Sequence, residues 1–221
     1  MSQDIIHVYL IPGMAASPLI FEHISLPKDQ FEIHKLEWFL PERNETLSHY
    51  ALRMTKEIKH KDIVLLGVSF GGVLVQEMSK YISVKKLIIV SSVKSKNELP
   101  TPMQLAKSTK IYKLLPTNLA SRIDLLAKYA YGDKIKKRLN LYKMYLSVSD
   151  QQYLDWAIES MLNWSQEDYN PDIIHVHGDD DSVFPIKNID NCIIVKNGTH
   201  AMILYKYKWF NENLPSIILE N

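Results

Sequence analysis

Cysteine is nearly missing from this sequence. Cys192 stands alone among 221 residues, so no disulfide can form within the chain. That favours a reducing compartment, and the thiol reads as an inert group in a buried strand, Asn191-Cys192-Ile193-Ile194-Val195. Long apolar runs are also missing. None approaches the roughly eighteen residues that a membrane helix needs, and Met1-Ser2-Gln3-Asp4-Ile5 lacks the basic and apolar regions of a signal peptide. A cytoplasmic protein is expected. Charge of one sign is absent too. Lys and Arg total 26 against 25 Asp and Glu, which gives no electrostatic footprint for nucleic acid or an anionic membrane. Neither is expected as a partner, and the oligomer is expected to be a monomer or a homodimer.

Glycine is scarce as well, with only seven in the chain. Gly13, Gly67, Gly71, Gly72, Gly178 and Gly198 all fall just after, or at the end of, a segment that reads as a strand, and only Gly132 does not. Loops at the carboxyl ends of strands build the sites of open parallel sheets. The scarce glycines therefore mark where a site would lie.

The richest of these places is Leu65-Leu66-Gly67-Val68-Ser69-Phe70-Gly71-Gly72. Ile63-Val64-Leu65-Leu66 is a short apolar run, as expected of a strand covered on both faces. Val73-Leu74-Val75-Gln76-Glu77-Met78 then follows a helical pattern. A serine on a sharp strand-to-helix turn stands out where a base can reach its hydroxyl, at the cost of an unusual backbone conformation. The turn brings the residues two before and two after into contact, which suits Gly67 and Gly71. The helix N-terminus directs N–H groups at the same place, as a developing oxyanion requires.

Strands are expected at Ile5–Ile11, 31–36, 63–68, 86–92, 173–177 and 192–196, alternating with helices up to the fourth strand. Ser17-Pro18 reads as the start of a short helix to Ile24, and Thr46 as the cap of a helix from Leu47 to about Lys59. The closing helix is expected from Ala201 to about Asn213. The alternation argues an α/β fold, a mostly parallel sheet with helices on both faces. Between 93 and 170 the pattern is helical only, with stretches at 103–108, 119–131, 134–147 and 151–165. Leu125, Leu126, Tyr129 and Ala130 would form one apolar face there, and Lys134, Lys136, Lys137 and Arg138 a solvated basic cluster. An insertion of about seventy residues between strands is expected to be a functional lid.

Three post-strand loops thus offer a nucleophile, an acid and a base, with Ser69 first, the acids near Gly178 next and His200 last. On these residues the chain resembles the α/β-hydrolase superfamily over nearly its whole length. The matching pieces are Gly67-Val68-Ser69-Phe70-Gly71, the loop Gly178-Asp179-Asp180-Asp181 with Pro185 beyond it, and Gly198-Thr199-His200. The resemblance implies an α/β-hydrolase core at 1–93 and 171–221 and a helical cap at 94–170. It selects Asp181, three residues after Gly178, over Asp179 and Asp180, with Glu98 as a weaker alternative. It also implies an oxyanion hole formed by the N–H groups of Phe70 and Met14, although Pro12 stands where the family commonly has His before the glycine.

The expected chemistry is acyl transfer by Ser69, His200 and Asp181. Apolar and aromatic residues in the loops and lid, with Trp38, Trp156 and Trp164 placed at the substrate, favour a small to medium apolar carboxylic ester. A thioesterase or lactonase uses the same residues, and a cyanohydrin-type lyase or a non-catalytic small-molecule receptor are readings of other classes. No cofactor and no metal are expected. His175 and His177 alternate beside three aspartates, but the usual metallohydrolase spacing is absent, and His177 is expected to brace the acid loop.

Overall fold

A computed structural model describes residues 5–109, 144–146 and 148–220. The helix expected at 119–131, most of that at 134–147, the face of Leu125, Leu126, Tyr129 and Ala130, and the basic cluster of Lys134, Lys136, Lys137 and Arg138 lie outside these residues.

Six strands form one sheet: β1 (Ile6–Ile11), β2 (Phe31–Lys35), β3 (Ile63–Val68), β4 (Val84–Val90), β5 (Ile174–Gly178) and β6 (Ile193–Val195). Their order is β2-β1-β3-β4-β5-β6 and every pairing is parallel. The strand period of two sends neighbouring side chains to opposite faces. Tyr9, Ile11 and Leu65 enter one core, while Val8, Leu10, Val64 and Leu66 enter another.

The first core is closed by α1 (Leu47–Met54), α2 (Phe70–Met78) and α4 (Gln151–Asn163), and α3 (Thr101–Thr109) packs beside α4. Helix α4 lies within the segment expected to form the cap. Its buried Tyr153, Leu154, Ala157 and Met161 belong to the same core as the sheet. The second core is closed by a 3-10 turn at Pro18–Phe21, by α5 (Met202–Tyr205) and by α6 (Tyr207–Leu219). Among the described residues no helix is long and apolar enough to cross a membrane.

Several boundaries differ from expectation. The helix capped by Thr46, whose side chain accepts the His49 N–H, stops at Met54 and tightens into a 3-10 turn at Thr55–Glu57. There Thr55 Oγ1 donates to Leu52 O at 2.7 Å, a local bond that competes with the helical pattern. The segment after Ser17 is only a 3-10 turn, not a helix to Ile24. The closing helix breaks at Lys206 and runs on through Pro215 to Leu219. A proline inside a helix costs about 3 kcal/mol. Leu214, Ile217 and Ile218 are buried beside it, and at about 1.5–3 kcal/mol each they outweigh that. Finally, the strand after Cys192 is buried only at Val195. It forms the sheet edge, paired only to β5, with Ile193 39% and Ile194 58% exposed. Cys192 is half-buried against the first core, and burial raises its thiol pKa.

Candidate active site

Strand β3 is buried at every residue and runs straight into α2 through Ser69. Ser69 has φ 52 and ψ −120, left-handed for a residue with a side chain. Such a conformation costs about 1–3 kcal/mol and persists only where the surroundings hold it. They do so here. Ser69 N donates to Val90 O at 2.9 Å, and Ser69 O accepts from Gly72 N at 2.8 Å and from Ser92 Oγ at 2.7 Å. A Cβ on Gly67 would run into the carbonyl of Gly71, so the tight turn requires glycine there.

The acid and base loops leave β5 and β6, two strands that lie side by side. They touch through glycine, since a Cβ on Gly178 would strike the backbone of Gly198. This contact brings Asp181 and His200 together across the sheet end. His200 Nδ1 lies 2.9 Å from Asp181 Oδ2 and 3.1 Å from Oδ1, and His200 Nε2 lies 3.0 Å from Ser69 Oγ. The carboxylate is acceptor-only, so Nδ1 carries the proton in this arrangement and Nε2 is free to accept from the serine hydroxyl.

Asp181 is 4% exposed and also accepts N–H bonds from Val183 (2.8 Å) and Phe184 (2.9 Å). Burial pushes its pKa up. The hydrogen bond and charge of His200, with the two backbone donors, outweigh this and hold the carboxyl below its ordinary value. Asp179 and Asp180 are exposed. Glu98 is buried elsewhere, where it accepts from Lys94 N (2.6 Å) and Asp190 N (3.2 Å) and clamps two loops. His177 donates Nε2–H to Phe184 O at 2.8 Å and so braces the acid loop, with its Nδ1 3.0 Å from His175 Nε2.

Phe70 is the first residue of α2 and Gly13 packs beside Ser69, 3.4 Å separating Ser69 Cβ from where a Cβ on Gly13 would stand. Met14 follows Gly13 and, with Ser69 and His200, lines a cavity of about 420 Å³. Its other walls include Ile20, Leu146, Ile203 and Leu204. The sequence reading missed these. The one available signal was that Ile203 and Leu204 follow His200 closely in a helical pattern.

The three tryptophans expected at the substrate do not line this cavity. A buried indole N–H needs a partner, and each found one on the scaffold. Trp38 Nε1 donates to Gly13 O at 2.9 Å, Trp156 Nε1 to Glu45 O at 2.8 Å and Trp164 Nε1 to Glu77 Oε1 at 2.8 Å. Trp156 and Trp164 border a different groove, between the start of α1 and α4.

Two side-chain groups among the described residues are close enough to be considered for a metal: His7, His34 and His60, and Glu42, Glu45 and His49. In the first, the rings of His7 and His60 stack with centroids 3.5 Å apart and planes 9° apart. Nitrogen lone pairs lie in the ring planes, and two near-parallel planes this far apart give the pair no common point to aim at. In the second, Arg53 already neutralises Glu45 through Nε and Nη2, both at 2.7 Å. Neither arrangement holds an ion as it stands.

No protein-family model matches the chain, and no curated protein matches it in sequence. Solved structures do match. A bromoperoxidase from Bacillus anthracis is 17% identical with a TM-score of 0.71, over 99% of this chain and 93% of that one. An esterase from Exiguobacterium antarcticum is 16% identical with a TM-score of 0.65, over 99% and 93%. A thermophilic esterase from Thermogutta terrifontis is 12% identical with a TM-score of 0.65, over 98% and 90%. At these identities the similarity is one of fold.

Proposed function

Given that the chain has the α/β-hydrolase fold, we propose that it is a serine hydrolase that cleaves small to medium apolar carboxylic esters through an acyl-enzyme. The observation that carries this reading is the unbroken chain from Ser69 Oγ through His200 to Asp181, with contacts of 3.0 and 2.9 Å.

In this reading His200 Nε2 takes the Ser69 proton as Oγ attacks the acyl carbonyl. Asp181, kept ionised by its bonds, holds the Nδ1–H tautomer and stabilises the imidazolium. The N–H groups of Phe70 and Met14 receive the oxyanion. His200 then passes its proton to the leaving alcohol, and the same nitrogen activates water to release the acid. The cavity beside Ser69 supports an apolar acyl or alcohol group. Its volume of about 420 Å³ falls within the usual range for small-molecule sites, and Ile20, Leu146, Ile203 and Leu204 offer apolar contact. Tyr145 and Leu146, from the segment expected to form the cap, also line this cavity.

Two measurements test this. A fluorophosphonate probe should label Ser69 and no other residue. A series of p-nitrophenyl esters of rising chain length should be hydrolysed with a preference for short to medium acyl groups. A thioester, a lactone and a cyanohydrin in the same series separate the other reactions this constellation supports. An unlabelled, natively folded protein that binds but does not turn over these compounds would make it a receptor.

A further inference from the structure

We infer that Trp38 is the positioning residue of the oxyanion site, setting both backbone donors with a single side chain. This rests on the hydrolase reading above, and it concerns a residue that touches neither the nucleophile nor the cavity.

The first donor is the N–H of the Gly13–Met14 peptide. No cis peptide bond occurs among the described residues, so this peptide is trans and its N–H points opposite to its C=O. Whatever holds the Gly13 carbonyl therefore also aims the Met14 N–H. Two groups hold it: Trp38 Nε1–H at 2.9 Å and Ala16 N–H at 3.1 Å. The Ala16 bond closes the loop on itself and cannot fix the loop against the rest of the fold. Trp38 supplies the outside reference at this carbonyl itself, and farther along the loop Val148 N–H donates to Ala15 O at 3.1 Å and Ser17 N–H to Tyr145 O at 2.8 Å. The loop needs one, because it belongs to no strand and Ala15 carries a positive φ of 62.

The second donor is the N–H of Phe70. The Trp38 ring stacks on the Phe70 ring with centroids 5.4 Å apart and planes 16° apart. The same indole thus bears on the Gly13–Met14 peptide, through its carbonyl, and on Phe70, through its ring. It is itself held fast. Trp38 is 9% exposed and packs against Tyr50 (6.1 Å) and Tyr153 (5.4 Å). An indole suits the task because one flat apolar surface can stack while one N–H, fixed in the ring plane, reaches a carbonyl.

The test separates the donor from the packing. Trp38→Phe keeps an aromatic ring but loses the N–H. Replacing Trp38 by benzothienylalanine, in which sulfur takes the place of the indole N–H, keeps the shape almost unchanged. Removing an oxyanion donor outright costs about 10²–10³ in kcat, and misorienting one costs less. Both variants should therefore lose about 10- to 100-fold in kcat while KM stays within about twofold. Affinity for a trifluoromethyl ketone, which forms a tetrahedral adduct on Ser69, should fall in parallel with kcat/KM, whereas affinity for an unreactive ester analogue should not. A residue that merely fills the core would move neither ratio. If the benzothienylalanine protein keeps its kcat and its trifluoromethyl ketone affinity, the role of Trp38 is overturned. Fluorophosphonate labelling distinguishes that failure from a deeper one. Labelled wild type with unchanged variants removes only Trp38. An unlabelled wild type removes the hydrolase reading and the Trp38 role with it.

Discussion

The molecule carries two groups of histidines, one at each end of its sheet logic, and they behave differently. His7, His34 and His60 gather at the β2 side, where His7 Nδ1 meets His34 Nε2 at 3.0 Å and His60 Nδ1 meets Tyr9 Oη at 2.7 Å. His175, His177 and His200 sit on and beyond β5 and β6, tied to Asp181, Phe184 and Ser69. The first group has more histidines in mutual contact. The second has one histidine with an acid on one nitrogen and a hydroxyl on the other. In the first group His7 and His34 bond each other beside Glu32, at 3.4 and 4.0 Å, and His60 bonds Tyr9, so no imidazole there stands between an acid and a serine hydroxyl. One imidazole between unlike partners can move a proton in a direction. Residue type alone therefore says little, and position relative to strand carboxyl ends says much.

The comparison breaks most decisively at Ser69. Ser69→Ala should cut turnover by about four to six orders of magnitude, and near-normal ester hydrolysis would dissolve the special standing of the second group. Within that group, Asp181→Asn should cost about 10³–10⁴ in kcat, while Asp179→Asn and Asp180→Asn should each cost less than about threefold. The reverse ranking would move the acid to one of the exposed aspartates.

A third outcome concerns stability. Burial, then the charges of His177 and Lys94, lower the pKa of His175 to about 3. Its folded value lies below its unfolded value of about 6.5, so the unfolded chain binds the extra proton first as pH falls. Stability is therefore fully present above about pH 6.5 and is lost progressively towards pH 3. Between pH 7 and pH 5 this one group should account for about 2 kcal/mol. Urea unfolding at both pH values should show that loss in the wild type and a smaller one in His175→Gln, which keeps an N–H for His177. Equal losses would assign the acid sensitivity to other groups. Asp181, whose pKa is lowered, adds a second window: its contribution is present above about pH 4 and is lost below it as the carboxyl protonates.

The smallest effect is expected in the first group. His34→Gln should leave ester turnover within about twofold of wild type, since half-buried His34 lies on β2, two strands from the one that leads into Ser69. A tenfold loss would show that the two histidine groups are coupled through the sheet.

Much of this was readable before folding. The Ser69 elbow, its flanking glycines, and the later loops of Asp181 and His200 each depend on residues a few positions apart, and their signals survive in the chain. The acid is a partial case. Gly178 marked the loop and the family resemblance selects Asp181, but the residues alone do not separate the three aspartates, which burial against His200 does. The tryptophans depend on the fold for a related reason. Aromatic content near the lid suggested a substrate wall, whereas Trp38, Trp156 and Trp164 each donate to a scaffold oxygen 25, 111 and 87 positions away. The closing helix runs past Asn213 and through Pro215, a local stop signal, because Leu214, Ile217 and Ile218 are buried in a core shared with β1 and β3, which no local rule registers.

By itself the sequence determined the order of strands and helices and the three loops in which a serine, an acid and a histidine would fall. Period, caps and scarce glycines act through the backbone within a turn or a strand, so they can be read locally. Only the tertiary structure decided which side chains wall the cavity, and that Trp38 lies against both Gly13 and Phe70. Those choices depend on which face of which neighbouring element comes within about 3 Å for a hydrogen bond, or about 4 Å for packing, and that is settled by the packing of the whole sheet.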